Sequence, residues 1–269
     1  MKTFIIGDVH GNCDALQRLL YFINYQDAED RLIFLGDVID RGPDSRRVMD
    51  LLLELDHQQR HVFIKGNHED MVIDCADGKD QLYIWLEDGQ GRKCLQSYNI
   101  PDNYLEKIGS AYYYRVRNEK RRVISEMLIT EPEQMRQFLK MVFPEDHLLL
   151  MRSMPASYES GDFFFSHAGT AIGRPLHLGD NDHICIWGDN DFIKNDETDY
   201  GKIMVFGHWH LNQPYIGFKK IGLGLTDNRV AALDLQDMII IDNEGSTYDV
   251  PASLLMRGAS HGCPPKIGE

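Results

Sequence analysis

The first 75 residues alternate between short apolar runs and amphipathic stretches, and this order restricts the fold more than any other feature of the chain. Residues 3–6, 32–35 and 61–65 are apolar runs of strand length, and residues with helical spacing follow each of them. A strand–helix–strand–helix–strand order predicts a parallel or mixed sheet that is covered on both faces. The carboxyl ends of parallel strands meet at one edge of such a sheet, where binding sites are built.

The rest of the chain predicts an insertion and a second set of strands. Several groups of apolar residues at helical spacing lie between about residues 75 and 159, and we interpret this stretch as a mainly helical insertion near the strand ends. Residues 163–165, 184–186 and 203–206 are predicted to return to the sheet. Turn-rich spacing predicts antiparallel strands in four further runs, at 220–225, 229–235, 238–241 and 246–250.

Composition restricts the class of partner and the compartment. With 269 residues the chain can form one domain over 1–269, and we expect a flexible tail at 257–269. The formal net charge of −14 argues against a nucleic-acid partner, because no basic excess is present to contact phosphate backbones. No apolar stretch reaches the roughly 20 residues of a membrane helix, and the odd number of cysteines suits reduced thiols. We therefore expect a soluble, cytoplasmic protein without a membrane partner. The sequence does not indicate its oligomeric state.

Polar residues follow five of the apolar runs, at the positions where strands are predicted to end. They are Asp8 and His10, then Asp37, Asp40 and Arg41, then Asn67, His68 and Glu69, then His167, and finally His208 and His210. Imidazole, carboxylate and amide oxygen are ligands that first-row divalent ions accept. Two such ions about 3.5–4 Å apart can clamp a displacement at phosphorus. The pattern therefore favours a site for phosphate chemistry.

These motifs resemble those of a known family. Residues 7–12, 36–42 and 66–69 are similar to the three signature motifs of the phosphoprotein phosphatases, which belong to the calcineurin-like metallophosphoesterases. His167 to Gly169 and Gly207-His208 are similar to the later metal-binding motifs, in the same order. Three further segments, at 85–89, 95–98 and 143–147, resemble bacterial members, which include serine/threonine phosphatases and dinucleoside tetraphosphate hydrolases. The resemblance covers roughly residues 1–235.

The resemblance implies a fold and a metal centre. The fold is α/β, the calcineurin-like metallophosphoesterase fold, with a central mixed β-sandwich flanked by helices and the mainly helical insertion. Two divalent ions are implied, manganese in the first place, with iron or zinc also suited to the ligands. A hydroxide between them would attack phosphorus directly, without a phosphoenzyme. The implied ligands are Asp8 and His10 for the first ion, Asp37 as the bridge, and Asn67, His167 and His208 for the second.

The resemblance also implies catalytic roles and a substrate class. Arg41 would hold the phosphate oxygens, His68 would protonate the leaving alkoxide, and Asp40 would orient His68. The chain is thus predicted to hydrolyse phosphomonoesters, foremost as a serine/threonine protein phosphatase acting on a phosphorylated protein or peptide. The alternative is a hydrolase of dinucleoside tetraphosphates or other nucleotide anhydrides, which are small phosphate substrates. A phosphodiesterase and an inactive phosphate-binding regulator are further alternatives, less favoured by the motifs.

Two positions depart from the phosphoprotein phosphatase pattern. His210 follows Trp209 where these enzymes usually have threonine, and His-x-His is the pattern of the wider superfamily, so His210 is a candidate ligand of the first metal. Bacterial relatives often carry a phosphate-binding arginine at the position of Gly188. We therefore expect phosphate to bind more weakly than in those relatives, or to be bound in part by Lys194 or Arg174.

Several polar residues have a simpler explanation beside the functional one. Glu69 is interpreted as a first-turn helix residue favoured by the helix dipole, rather than as a catalytic group. Cys13 is interpreted as a small buried residue, with oxidation sensitivity as the alternative. The basic stretch 115–122 is interpreted as a solvated helix face, with contact to an anionic substrate as the alternative.

Overall fold

The computed structural model describes residues 1–79, 82–88, 90–108, 111–117, 123–172, 181–195, 198–227 and 229–255. The tail predicted at 257–269 lies outside the described residues. The same holds for Arg174, which was a candidate for phosphate binding, and for Lys120, Arg121 and Arg122 of the basic stretch.

The secondary structure follows in chain order. The amino-terminal part contains β1 (Thr3–Ile6), α1 (Cys13–Phe22), β2 (Arg31–Phe34), α2 (Ser45–Asp56), β3 (Val62–Phe63) and α3 (Asn67–Ala76). The insertion contains a π-helical turn (Ile84–Asp88), α4 (Gly91–Ser97), a 3-10 turn (Asp102–Tyr104), β4 (Leu105–Ile108), β5 (Ala111–Arg117), β6 (Val123–Ile129), α5 (Pro132–Val142) and α6 (Glu145–Ser153). Next come β7 (Ser157–Ser160), β8 (Phe163–Ser166), α7 (Asp182–Trp187), α8 (Asn190–Lys194), β9 (Ile203–Phe206), β10 (Tyr215–Gly217), β11 (Lys220–Gly222), β12 (Ala231–Asp234), β13 (Ile239–Asp242), β14 (Thr247–Asp249) and α9 (Ala252–Leu255).

Two sheets form a β-sandwich. The first has the order β14-β13-β12-β1-β2-β3 and the second the order β10-β11-β9-β8-β7. β1, β2 and β3 pair in parallel, and β12, β13 and β14 pair antiparallel, as predicted for these strands. The antiparallel prediction for 220–225 is only partly correct, because β11 pairs antiparallel with β10 but in parallel with β9. Alternate residues of β1 serve two cores: Ile5 packs between the sheets, whereas Phe4 and Ile6 pack against the helices.

The insertion packs on the helical side of the first sheet and shares its core. Trp85 and Phe138 are fully buried in the same cluster as Phe4. Its helices were predicted, but β4, β5 and β6 form an antiparallel sheet that was not. Arg115 and Arg117 lie on β5, so the interpretation of these two residues as part of a helix face is wrong.

A second correction concerns residues 184–186, which were predicted to be a strand and lie in α7. A three-residue apolar run has too little length to separate strand from helix. The helix ends at Gly188, whose φ of +83° suits a residue without a Cβ atom. Among the described residues, no helix combines the length and apolar character needed to cross a bilayer.

Candidate functional site

The loops after the parallel strands and the loops after β8 and β9 meet at one edge of the sandwich. The clearest contact joins the two sheets: both carboxylate oxygens of Asp8 accept a hydrogen bond from the backbone N–H of His208, at 3.0 and 3.1 Å. Residues 200 positions apart in the sequence therefore lie side by side. This edge is where the sequence predicted a site.

Asp37 lies at the centre of this edge. Its Oδ2 atom is 3.2 Å from Nε2 of His167, 3.6 Å from Nε2 of His10 and 3.8 Å from Nε2 of His68. Two groups with metal-ligand spacing share this carboxylate: Asp37 with His10 and His68, and Asp37 with His167 and His208. A carboxylate common to two adjacent groups is what a pair of bridged cations requires.

Backbone carbonyls orient two of the imidazole rings. Nδ1 of His10 is 3.2 Å from the carbonyl of Ile39, and Nδ1 of His167 is 2.8 Å from the carbonyl of Leu35. A carbonyl can only accept, so each Nδ1 carries the hydrogen and each Nε2 directs its lone pair into the cluster. Nε2 of His10 is buried without a hydrogen-bond partner among the described residues. An orphaned acceptor among carboxylates fits a metal ligand.

Asn67 and His208 complete the second group. Oδ1 of Asn67 is 3.1 Å from Nε2 of His167 and 3.1 Å from Nδ1 of His208. The two imidazole nitrogens are themselves 3.1 Å apart. Four donor atoms, those three and a carboxylate oxygen of Asp37, thus converge on one point. Their chemistry suits a first-row divalent ion.

Burial and neighbouring charges set the protonation of these groups. Burial lowers the pKa of His10 well below its usual value, and burial with the charge of His167 lowers the pKa of His208 to about 3, so both rings are neutral as metal ligands must be. Burial opposes ionisation of Asp37, but the charge of His167 holds its pKa well below the usual range. Burial raises the pKa of Asp8 to about 6. Burial lowers the pKa of His167, but the charge of Asp37 outweighs burial and raises it to about 9, so this ring would have to exchange a proton for a metal ion.

His68 belongs to a hydrogen-bonded chain that leads away from the cluster. Its Nδ1 donates to Oδ2 of Asp40 at 2.7 Å, which leaves Nε2 facing Asp37. Asp40 is fully buried and also accepts from Nε1 of Trp85 at 3.0 Å, while its backbone N–H donates to Oγ of Ser45 at 2.9 Å. The contact that the predicted orienting role of Asp40 needs is thus present. Apart from the motif itself, nothing in the sequence indicated that Trp85 and Ser45 would form hydrogen bonds with Asp40.

Arg41 and His210 form a pair on the solvent side of the cluster. Nη1 of Arg41 lies 2.5 Å from Nε2 of His210, and the guanidinium can only donate. His210 belongs to neither of the two metal-ligand groups among the described residues. Its role as a ligand therefore stays a prediction.

The backbone of these loops is strained. Six candidate site residues have φ between +46° and +68°, the left-handed region that non-glycine residues usually avoid: His10, Asp37, Asp40, Arg41, His208 and His210. Such conformations cost roughly 1–3 kcal/mol each and collect at functional sites. The positive φ angles of these residues could not be predicted from the sequence.

Glu69 organises the loop that carries Asp37. It is fully buried, and its two oxygens accept four backbone N–H groups, those of Gly66, Asp37, Val38 and Ile39, at 2.9–3.3 Å. It does lie in the first turn of α3, as predicted, but its main contacts are with the loop and not with the helix dipole. Burial raises its pKa to about 7.

A cavity of about 560 Å³ opens beside the cluster. Asp8, His10, Arg41 and His210 line one part of it, and Lys93 and Arg229 line another. Neither Lys93 nor Arg229 was predicted from the sequence to lie near the site. Lys194, which was a candidate for phosphate binding, is exposed at the end of α8 and is not among the described residues that line the cavity.

A sequence profile of the family described as calcineurin-like phosphoesterase matches residues 1–212 of the chain. The chain belongs to this family. Curated relatives include a bis(5'-nucleosyl)-tetraphosphatase of Oceanobacillus iheyensis, 32% identical over 114 residues, which are 39% of this chain and 40% of the relative. Another is serine/threonine-protein phosphatase 1 of Salmonella typhimurium, 36% identical over 87 residues, which are 32% of this chain and 38% of the relative. The chain therefore spans about two fifths of the length of the curated relatives that it matches.

Solved structures support the fold of this calcineurin-like phosphoesterase. A cold-active protein-tyrosine phosphatase of a Shewanella species superposes with a TM-score of 0.54 at 18% identity, covering 93% of this chain and 80% of that one. At this identity the likeness concerns the fold alone. The β-sandwich with flanking helices, predicted from the resemblance, is thereby confirmed.

The structure gives a reason for the glycine at position 188 in this family member. A Cβ atom at Gly188 would lie 3.0 Å from Cζ2 of Trp209 and 3.4 Å from Cβ of Ala168. Trp209 is itself held by a hydrogen bond from its Nε1 to the carbonyl of Ala168 at 3.0 Å. An arginine at this position would combine a positive φ with a crowded Cβ. Any second cation that contacts the phosphate is therefore expected at another position.

The ligand role of His210 can be tested by replacement with alanine. If His210 binds the first metal, His210→Ala will lower the affinity of one ion by roughly 10-fold or more, because one ligand of that ion is lost. Metal content measured by atomic emission after dialysis would then fall from two ions towards one per chain. Unchanged stoichiometry would restrict His210 to its contact with Arg41. His183→Ala is the control, since His183 is exposed, stacks on Trp187 and belongs to neither metal-ligand group among the described residues.

Proposed function

We propose that this chain hydrolyses phosphate monoesters by direct attack of water on phosphorus, with two divalent metal ions as cofactors. The observation that carries the proposal is the single carboxylate oxygen of Asp37, which faces imidazoles of both ligand groups. When bound, the ions supply an acidified water and neutralise charge on the phosphate. Manganese is our first choice, and iron or zinc would also suit the imidazole and carboxylate donors.

The protein's own groups supply orientation and proton transfer. Arg41 lines the cavity beside the ligands, where its planar fork of N–H donors can hold two non-bridging oxygens of the phosphate. His68 faces the cluster through Nε2, from which it can protonate the leaving oxygen. Asp40 fixes the ring of His68 and stabilises its protonated form. No serine or cysteine nucleophile is required.

A phosphorylated serine or threonine of a protein is the substrate class we propose first, in keeping with the serine/threonine-protein phosphatase among the relatives. A second candidate is a dinucleoside polyphosphate, in keeping with the tetraphosphatase relative. Lys93 and Arg229 favour this second candidate, because they place additional positive charge in the cavity. A panel of phosphopeptides, nucleotides and dinucleoside tetraphosphates, assayed with metal-reconstituted protein, would separate the two. Absence of phosphate release from every substrate would refute the proposed function.

Replacing His68 by asparagine tests the proton donor. We expect His68→Asn to lower kcat roughly 100-fold or more for an alkyl phosphate such as phosphoserine, whose alkoxide needs a proton to leave. The loss for p-nitrophenyl phosphate should be much smaller, because nitrophenolate leaves without protonation. Asp40→Asn should show the same split to a lesser degree. Equal losses for both substrates would contradict the acid role of His68.

A further inference from the structure

Three cationic side chains open into the cavity beside the metal-ligand cluster. They come from different parts of the fold: Arg41 from the loop after β2, Lys93 from α4 in the insertion, and Arg229 from the segment before β12. The chain as a whole carries 42 acidic and 28 basic residues. The positive charge of these three groups is therefore opposite in sign to the net charge of the protein. Such a concentration attracts anions and focuses their approach.

These cations lack carboxylate partners in the part of the chain that the structure describes. None of Arg41, Lys93 and Arg229 makes an ion pair there, although many other basic side chains do. Nε of Arg41 is buried without a hydrogen-bond partner among these residues. Arg229 donates to the backbone carbonyl of Asn212, which fixes the guanidinium without neutralising it. No carboxylate among the described residues pairs with any of the three cations, which suits them to binding an anionic ligand.

The cavity has room for more than one phosphate. Its volume of about 560 Å³ lies within the range of pockets that hold whole small-molecule ligands. In the proposed hydrolysis the reacting phosphate contacts the metal centre and Arg41, and Lys93 and Arg229 have no assigned role in it. Asp227 also lines the cavity, but it belongs to neither metal-ligand group.

We propose that Lys93 and Arg229 form a second anion subsite, which holds a further phosphoryl group of the substrate next to the one that reacts. The two residues would add affinity for ligands with two adjacent phosphoryl groups, which a dinucleoside polyphosphate, the second candidate substrate, carries. This inference rests on the proposed function, because the reacting phosphate must lie at the metal cluster.

A pair of ligands that cannot be hydrolysed tests the subsite by binding alone. Methylenediphosphonate carries two adjacent phosphoryl-type groups, and methylphosphonate carries one. Their affinities for metal-reconstituted protein are measured by calorimetry for the unaltered chain and for Lys93→Gln/Arg229→Gln. We expect the double variant to lose roughly 10- to 100-fold in affinity for the diphosphonate, because two charge-assisted hydrogen bonds are removed. The affinity for methylphosphonate should change by less than about 3-fold, since this ligand leaves the subsite empty.

The control removes the same net charge elsewhere. Arg18 and Lys140 are exposed and do not line the cavity, so Arg18→Gln/Lys140→Gln should bind both ligands as the unaltered chain does. Equal weakening of both ligands in the Lys93 and Arg229 variant, or no weakening of either, would overturn the subsite. The same follows if that variant weakens only a phosphopeptide with acidic neighbours and leaves diphosphonate binding intact. Hydrolysis of p-nitrophenyl phosphate by the unaltered chain, measured in parallel, shows separately whether the proposed function holds.

Discussion

Asp37→Asn is expected to reduce phosphate release roughly 10³-fold or more and to leave less than one bound metal ion per chain. Asparagine keeps an oxygen that can accept from the backbone N–H of His68, a contact of 3.1 Å in the unaltered protein. It loses the negative charge and the second oxygen, which lies 3.2–3.8 Å from three imidazoles. Both ligand groups are broken together, because they share this residue.

Metal content and activity should be measured on the same preparation. Asp227→Asn is the matched control, because Asp227 lines the cavity but belongs to neither metal-ligand group among the described residues. That variant should retain two ions per chain. An Asp37→Asn protein with full activity or full metal content would contradict the bridged arrangement.

Glu69→Ala is expected to lower the free energy of unfolding by at least about 3 kcal/mol. The change leaves four backbone N–H groups of a buried loop without their acceptor, and each such loss costs roughly 1–3 kcal/mol before water can enter. Metal affinity should fall as well, because the loop carries Asp37. Urea denaturation of the metal-free protein measures the free energy of unfolding without any contribution from bound ions.

Glu145→Ala separates this loop contact from a helix-dipole effect. Glu145 is an exposed acidic residue in the first turn of α6, so its removal costs only the dipole interaction of about 0.3–1 kcal/mol. A similarly small loss for Glu69→Ala would mean that the four hydrogen bonds contribute little. It would also favour the original interpretation of Glu69 as an ordinary first-turn residue.

The sequence was most informative where strands end in ordered polar motifs. Parallel strands bring their carboxyl ends to one edge, so the order of elements alone predicted that Asp8, Asp37 and Asn67 would meet. His167 and His208 come from the second sheet, and periodicity could not have placed them there. Their position in the ordered motifs of the family resemblance supplied that information.

Other features of the fold and of the cavity could not be predicted from short stretches of the sequence. Residues 184–186 are too few to distinguish a strand from a helix, and their helical state depends on tertiary packing of Cys185 and Ile186. The strands of the insertion lack a clean alternation of buried and exposed residues, so β4, β5 and β6 were missed. Lys93 and Arg229 are 136 positions apart, and only the folded chain shows that they line one cavity.

The proposed metal ligands follow strands of both sheets of the sandwich, and this has an expected consequence for maturation of the protein in the cell. Asp8 and Asp37 follow strands of one sheet, whereas His167 and His208 follow strands of the other. A nascent chain that has not yet released residues beyond about 210 from the ribosome offers only a partial set of donors. We therefore expect metal uptake to come after the sheets have docked. The number of metal ions per chain in a purified sample would then report the fraction of chains that have completed folding.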